Sequence, residues 1–219
     1  MKGLIFTLLL GTAAMAQQTT VPSDHDPMHK TVIRNDYLLV LHVVLKPGES
    51  TGVHTHSRDA IAVEMAEAQT SMQEPGKQAG GPRQVHPGDV VAYNYARQPF
   101  THKVINAGKT NFNVLDVELL KRPDGPETKA VAPVAAENPG MRAYRWELGP
   151  GVSSAQHTHA RPYLIVAATP MELKMASPDG QAMTHPVKTG EIHWVDQKET
   201  HTLTNSGTEK GIIIEVELK

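Results

Sequence analysis

A chain that contains its own half twice can fold in few ways, because each copy must bury a core of its own and the copies must be built alike. Here Leu45-Lys46-Pro47-Gly48, five residues, and His54-Thr55-His56-Ser57-Arg58 return as Leu148-Gly149-Pro150-Gly151, five residues, and His157-Thr158-His159-Ala160-Arg161, at a constant offset of 103. Further on, His102, Asn106 and Gly108 return as His201, Asn205 and Gly207, and Val117-Glu118-Leu119 returns as Val216-Glu217-Leu218, both at an offset of 99. A change of offset between matched blocks is what a difference in loop length produces, and the glycine-rich stretch Pro75 to Pro82 is the natural place for it. Two homologous modules follow, residues 36–120 and 141–219.

Residues 121–140 carry four prolines together with Gly125 and Gly140, a composition for an extended connector. Residues 17–35, with Pro22 and Pro27 among polar and charged side chains, are expected to form a loose N-terminal arm, which could also lie across a partner subunit. Residues 1–16 read as a secretory signal: Lys2 begins it, Leu4 to Leu10 form the apolar stretch, and Ala14-Met15-Ala16 offers a cleavage site after Ala16. The expected product is periplasmic or secreted. Neither that stretch nor any later one approaches the roughly 20 apolar residues of a membrane-spanning helix.

With 21 basic and 23 acidic residues, the chain has no electrostatic footprint for nucleic acid or an anionic membrane. It has no cysteine, so no disulfide staples the fold and no thiolate serves as nucleophile or metal ligand. Metal chemistry must therefore use nitrogen and oxygen. Within each module, short β-favouring runs are separated by Pro, Gly and Asn turns, among them 37–45, 60–65, 90–95, 104–106 and 113–119, then 163–167, 171–175, 192–195, 201–204 and 212–218. This pattern predicts an all-β protein; a weak helical alternative over Met65 to Gln73 is discounted because its counterpart in the second module is strand-like.

Two histidines two apart diverge by about 200° on a helix but share one face of a strand, with Cα atoms roughly 6.6 Å apart. His54 with His56, and His157 with His159, can thus lean toward a single ion, where zinc–nitrogen bonds run about 2.0–2.1 Å. One distant histidine per module, His102 or His201, could complete a three-nitrogen set. Tyr163, Arg161 and Arg58 share the parity of these pairs. The tyrosine could place a phenol near the metal and the arginines could anchor a carboxylate substrate.

The glycine, five residues, His-x-His, then a later histidine, three residues and an asparagine, occurs in both halves and resembles the two motifs of the cupin superfamily. The resemblance covers about Asp36 to Lys219. It implies two tandem double-stranded β-helix, or jelly-roll, barrels, each able to hold a metal through the His-x-His pair, the later histidine and usually a glutamate. That glutamate, expected three or four residues after the second histidine, is absent, since Ala60 and Ile61 stand there in one half and Tyr163 and Leu164 in the other. Glu64 has the right parity but lies eight residues, roughly 26 Å of extended chain, beyond His56.

The missing glutamate weakens likeness to the manganese oxalate oxidases and decarboxylases. Three histidines with open positions resemble instead the cupin dioxygenases that use ferrous iron, such as thiol and β-diketone dioxygenases. The expected cofactor is a divalent transition metal, Fe(II) first, with Zn, Mn, Ni or Cu as alternatives. The expected activity is an oxidoreductase of dioxygenase type on a small chelating or carboxylated molecule. A zinc-dependent lyase, hydrolase or isomerase, and a non-catalytic binding module, are kept beside it.

Other residues receive plainer readings. Asn106 and Asn205 should serve turns. His86 and His185 should mark strand entries, and His42 and His193 should be peripheral. His25 and His29 would bind metal only adventitiously from the arm. Glu118 and Glu217 are expected to face solvent on terminal strands. Cupins often pair barrels through sheet faces, so a homodimer is left open, although two barrels in one chain can satisfy that pairing internally.

Overall fold

Strands begin and end where the turn residues fall. In the computed structural model, which describes residues 20–219, the first half contains β1 (Val21–Pro22), β2 (His29–Arg34), β3 (Leu38–Leu45), β4 (His54–His56), β5 (Ala60–Glu64), β6 (Ala68–Gln73), β7 (Arg83–Val85), β8 (Val90–Tyr93), β9 (Phe100–Asn106) and β10 (Phe112–Leu119). The second contains β11 (Val134–Glu137), β12 (Met141–Leu148), β13 (His157–His159), β14 (Tyr163–Ala167), β15 (Met171–Ala176), β16 (Ala182–Val187), β17 (Ile192–Val195), β18 (Glu199–Asn205) and β19 (Gly211–Leu218). The leader expected over residues 1–16 lies outside the described residues. Residues 65–73, where a helix was the weaker alternative, supply strand β6.

Each half is a pair of facing sheets, with orders β1-β4-β9-β6-β7 and β2-β3-β10-β5-β8 in the first, and β13-β18-β15-β16 and β11-β12-β19-β14-β17 in the second. Gly48 and Gly151, at φ of 81° and 73°, make the turn that leads toward each His-x-His strand; a side chain would be strained there. Asn106 then fastens the far end, donating from Nδ2 to Leu45 O and Thr110 O, both at 2.8 Å. Asn205 does the same to Leu148 O and Glu209 O, at 2.9 and 2.7 Å. Both asparagines are thus turn residues.

The inner strands β10 and β19 have two buried faces. Leu115 and Val117 on β10 meet Ile214, Val216 and Leu218 on β19 in a seam between the halves, joined by Leu38, Val40, Ile61, Val63, Leu164 and Val166. The opposite faces look into the barrels. Phe112 and Val114 pack there with Val43, Leu45 and Val85, and Ile213 packs with Leu148, Ile165, Leu173 and Leu203.

Three expectations change. Glu118 and Glu217, expected in solvent, are completely buried because their strands have no water-facing side. The arm is not loose: β1 runs parallel to β4, β2 joins β3, and Ser23, Asp26 and His29 are buried. The connector ends in β11, which pairs with β12, and Asn138 donates to Ala60 O of the first barrel at 3.0 Å.

Candidate metal centres

In the second barrel, β13 sends His157 and His159 to one face, and β18 sets His201 directly across from His157. Three ring nitrogens converge on one carboxylate. The Nε2 atoms of His157 and His159 lie 3.1 and 3.3 Å from Glu215 Oε2, and His201 Nε2 lies 2.9 Å from Glu215 Oε1. These four buried residues could hold a metal ion, with donor atoms all within 4.8 Å of one another. Neither ring nitrogen of His159 makes a hydrogen bond, which leaves both to the carboxylates beside them.

Burial works against a charge on Glu215, but its contacts with His157, His159 and His201 outweigh it and hold the carboxyl well below its ordinary range. Burial likewise opposes protonation of His159, yet Glu215 and Glu217 win and its pKa rises to about 9. Outer groups flank each ring, as they do around metal-binding histidines. His157 Nδ1 is 2.9 Å from Ala155 O, His159 Nδ1 is 3.4 Å from Glu217 Oε1, and His201 Nδ1 is 3.1 Å from the Tyr163 hydroxyl. Glu217 in turn accepts from the Tyr144 hydroxyl at 2.9 Å.

The first barrel differs. His54 Nε2 and His56 Nε2 stand 3.0 Å apart. With metal–nitrogen bonds of about 2.1 Å, two ligands at right angles are separated by about 3.0 Å, so the pair already has the spacing of one edge of an octahedron. His102, opposite His54 across β4 and β9, packs its ring 4.7 Å from His54 and 5.3 Å from His56. Two buried groups here have donor atoms within 4.8 Å of one another, His29 with His54 and His56, and His56 with Asp116 and Glu118; neither includes His102.

Burial, reinforced by neighbouring histidines, lowers His54 to about 3 and His102 to about 2, leaving both neutral as metal binding requires. His56 is raised: burial opposes protonation, but Asp116 at 3.2 Å and Glu118 at 3.0 Å from its Nδ1 overcome it. Asp116 occupies the place that Glu215 has in the second barrel.

A cavity of about 70 Å³, lined by His54, His56, His102, Glu64 and Arg83, lies beside these rings. It shares Met72, Tyr93 and Tyr95 with a surface depression of about 470 Å³. Glu64 is not among the grouped metal donors. Its Oε2 has no partner, its Oε1 is 3.4 Å from Arg83, and burial raises it to about 7. In the second barrel Ala167 takes its place, because Glu64 pairs with Val114 and Ala167 with Ile213. The cavity there, about 170 Å³ between Ile165, Leu173, Met175, Met183 and His193, does not touch the His/Glu group. Only His201 of that group borders a shallow outer depression beside Glu199.

Tyr163 lies within the second centre, against His159 and His201. Neither Arg58 nor Arg161 lines the cavities described above. Arg58 Nη1 donates to Glu118 Oε2 at 2.7 Å, and Arg161 donates to the carbonyl oxygens of Asp124 and Pro126 in the connector. Each guanidinium is thus engaged by the chain itself. His42 meets Asn113, His86 lies 3.5 Å from Asp89 at the surface, and His185 lies 3.4 Å from Glu191. Sequence reasoning missed the acids of the last strands. The signal was present as Asp116-x-Glu118 repeated by Glu215-x-Glu217 at the same offset of 99.

No family model and no curated protein sequence matches the chain. Solved structures do. AerE from Microcystis aeruginosa superposes with a TM-score of 0.60 at 11% identity, over 89% of this chain and 98% of that one. Salicylate 1,2-dioxygenase from Pseudoaminobacter salicylatoxidans, in adducts with gentisate, gives 0.56 at 10%, over 83% and 68%. A cupin 2 conserved barrel domain protein from Leptotrichia buccalis gives 0.51 at 13%, over 87% and 88%. At these identities the likeness is one of fold, and with the two duplicated barrels it makes this chain a two-domain protein of the cupin fold.

Proposed function

We propose that the chain is an exported, metal-dependent oxidoreductase of dioxygenase type whose reaction takes place in the first barrel. The observation that carries this reading is the His54–His56 nitrogen pair, set at octahedral-edge spacing beside a cavity. His102 borders the same space and would complete a three-histidine set. Ferrous iron held there would supply the electrons for dioxygen chemistry, which side chains cannot.

The chain's own residues do the rest. Arg83, at the cavity wall, would pair with an anionic group of the substrate. Glu64, with a free oxygen and a pKa near neutrality, would exchange a proton with the bound molecule. Tyr95, Phe100 and Phe112 would keep water from the apolar side. The inner cavity is under half the size of an engineered cavity of about 150 Å³ that admits benzene. A slim chelating or carboxylate head would therefore enter it while the body stays in the outer depression. The fold likeness to a dioxygenase of salicylate, itself a chelating carboxylate, accords with this reading.

The second centre favours a different role. Three histidines and Glu215 supply four donors, the number that closes a structural zinc site, and of the cavities described only the outer depression touches them, at the edge of His201. We therefore assign it a structural ion. The test is metal content by elemental mass spectrometry, on protein purified without tag or chelator, beside His54→Ala/His157→Ala. Oxygen uptake by iron-loaded His102→Ala and His201→Ala should follow. Iron in the first centre, with uptake lost in His102→Ala and kept in His201→Ala, is expected. Zinc without oxygen uptake would favour a lyase, hydrolase or isomerase; no metal at all, or equal uptake in both variants, would overturn the proposal.

A further inference from the structure

The N-terminal arm is built into the first metal centre. β1 pairs Val21 with His54 and Pro22 with Thr55, so the arm lies directly on the strand that carries the histidine pair. The chain then turns, with the Met28 N–H donating to Asp26 Oδ1 at 2.8 Å and the His29 N–H donating to Asp26 O at 3.0 Å. This brings two side chains inward. The His29 ring stands 4.4 Å from that of His54 and 5.9 Å from that of His56.

Asp26 is almost completely buried, its Oδ1 3.4 Å from His29 Nδ1 and its Oδ2 3.8 Å from His54 Nδ1, and Oδ2 has no hydrogen-bond partner. The His29 Nδ1 itself makes no hydrogen bond, and His54 Nδ1 lies 3.1 Å from the Gly52 carbonyl oxygen, so Asp26 acts on both rings as a neighbouring negative charge. Room for Asp26 exists because residue 52 is glycine; a Cβ there would meet Asp26 Oδ2 at 2.6 Å. A second tie runs through Glu118, which accepts from the Ser23 hydroxyl at 2.6 Å while lying 3.0 Å from His56 Nδ1. The second barrel has no such arm: β11 reaches only residues 142–144 of β12, and Trp146 stacks on His157 in its place.

We propose that His29, whose donor atom lies within 4.8 Å of those of His54 and His56 and whose Nδ1 has no hydrogen-bond partner, is a further protein ligand of the first metal centre, so that the ion and the arm hold each other in place. This rests on the metal reading above. The second barrel, which lacks the arm, provides the internal comparison.

The probe is Co²⁺ alone, titrated into the full chain and followed by its visible bands, which report coordination number and geometry. In wild type the arm should resist trypsin at Lys30 once Co²⁺ is bound. His29→Ala is expected to weaken one class of Co²⁺ site roughly tenfold or more, to change its bands and to release the arm to trypsin, leaving the other class untouched. His29→Gln, which fills the space beside Asp26, is expected to show the same loss, and decides the matter if the alanine variant does not fold. Co²⁺ affinity and bands unchanged in His29→Gln would overturn the proposal while leaving the metal reading standing. A wild-type chain that binds no Co²⁺ would overturn both.

Discussion

Tyr163 lies flat against His159, ring centroids 4.0 Å apart and planes 19° apart, and its hydroxyl donates to Glu199 at 2.7 Å while standing 3.1 Å from His201 Nδ1. Burial, with Glu199, drives its pKa far upward, so it stays a phenol and positions two histidines at once. Tyr163→Phe should cost about 1 kcal/mol, the usual net loss of a hydrogen bond. Tyr163→Ala should cost about 3–5 kcal/mol, as removal of a core aromatic does. Urea unfolding of the metal-free variants measures both; equal costs would show that the hydroxyl, not the ring, dominates.

Glu215 should decide the metal count. Glu215→Gln keeps the shape but removes the charge that three ring nitrogens face, and is expected to lower the bound metal by one equivalent. Glu147→Gln, at an exposed carboxylate paired with Arg145 and Lys210, should leave it unchanged. Elemental mass spectrometry separates the two cases. Retention of full metal by Glu215→Gln would mean that the three histidines suffice.

Glu64 gives the fold a definite pH dependence. Its carboxyl ionises near the ordinary 4.5 when unfolded and at about 7 when folded. Below 4.5 it is protonated in both states and contributes no dependence. Between 4.5 and 7 the unfolded chain gives up a proton that the folded chain keeps, so stability falls as pH rises, and above 7 the loss is complete. Glu64→Gln should therefore match wild type at pH 4 and exceed it at pH 8 by no more than about 3 kcal/mol. Melting curves across that range check it; a difference that does not grow with pH would contradict it.

The seam should make the two barrels unfold together. Leu164, completely buried there, is expected to cost about 2–5 kcal/mol on replacement by alanine. Calorimetry should show one transition, displaced downward as a whole. Two separate transitions in wild type would mean that the seam couples the halves weakly.

The architecture was readable because duplication and period-two runs are properties of the chain itself. The histidine pairs were readable for the same reason: His-x-His on a strand has one face to share. The acids were misread by a sound rule applied to the wrong strand. Alternation means apolar-in and polar-out when one face meets water, but on β10 and β19 Leu115, Val117, Ile214 and Val216 point outward into the seam, and Asp116, Glu118, Glu215 and Glu217 point inward. The arm failed for a related reason. Its polar composition looked like solvated chain, whereas Ser23 bonds Glu118, and Asp26 and His29 both lie against His54. Long-range partners of that kind leave no local pattern.

Strands that bear ligands on one face and the seam on the other also restrict how the two copies can diverge. A substitution at Val117 or Val216 that improves one barrel shifts the backbone beneath the carboxylates of the other, so drift in the shared wall must be accepted by both halves together. The far sheets carry no such mutual obligation, and there the copies have already parted: β7 presents Arg83 where β16 presents His185. New substrate preferences would arise on that outer side, with the common wall as the conservative inheritance.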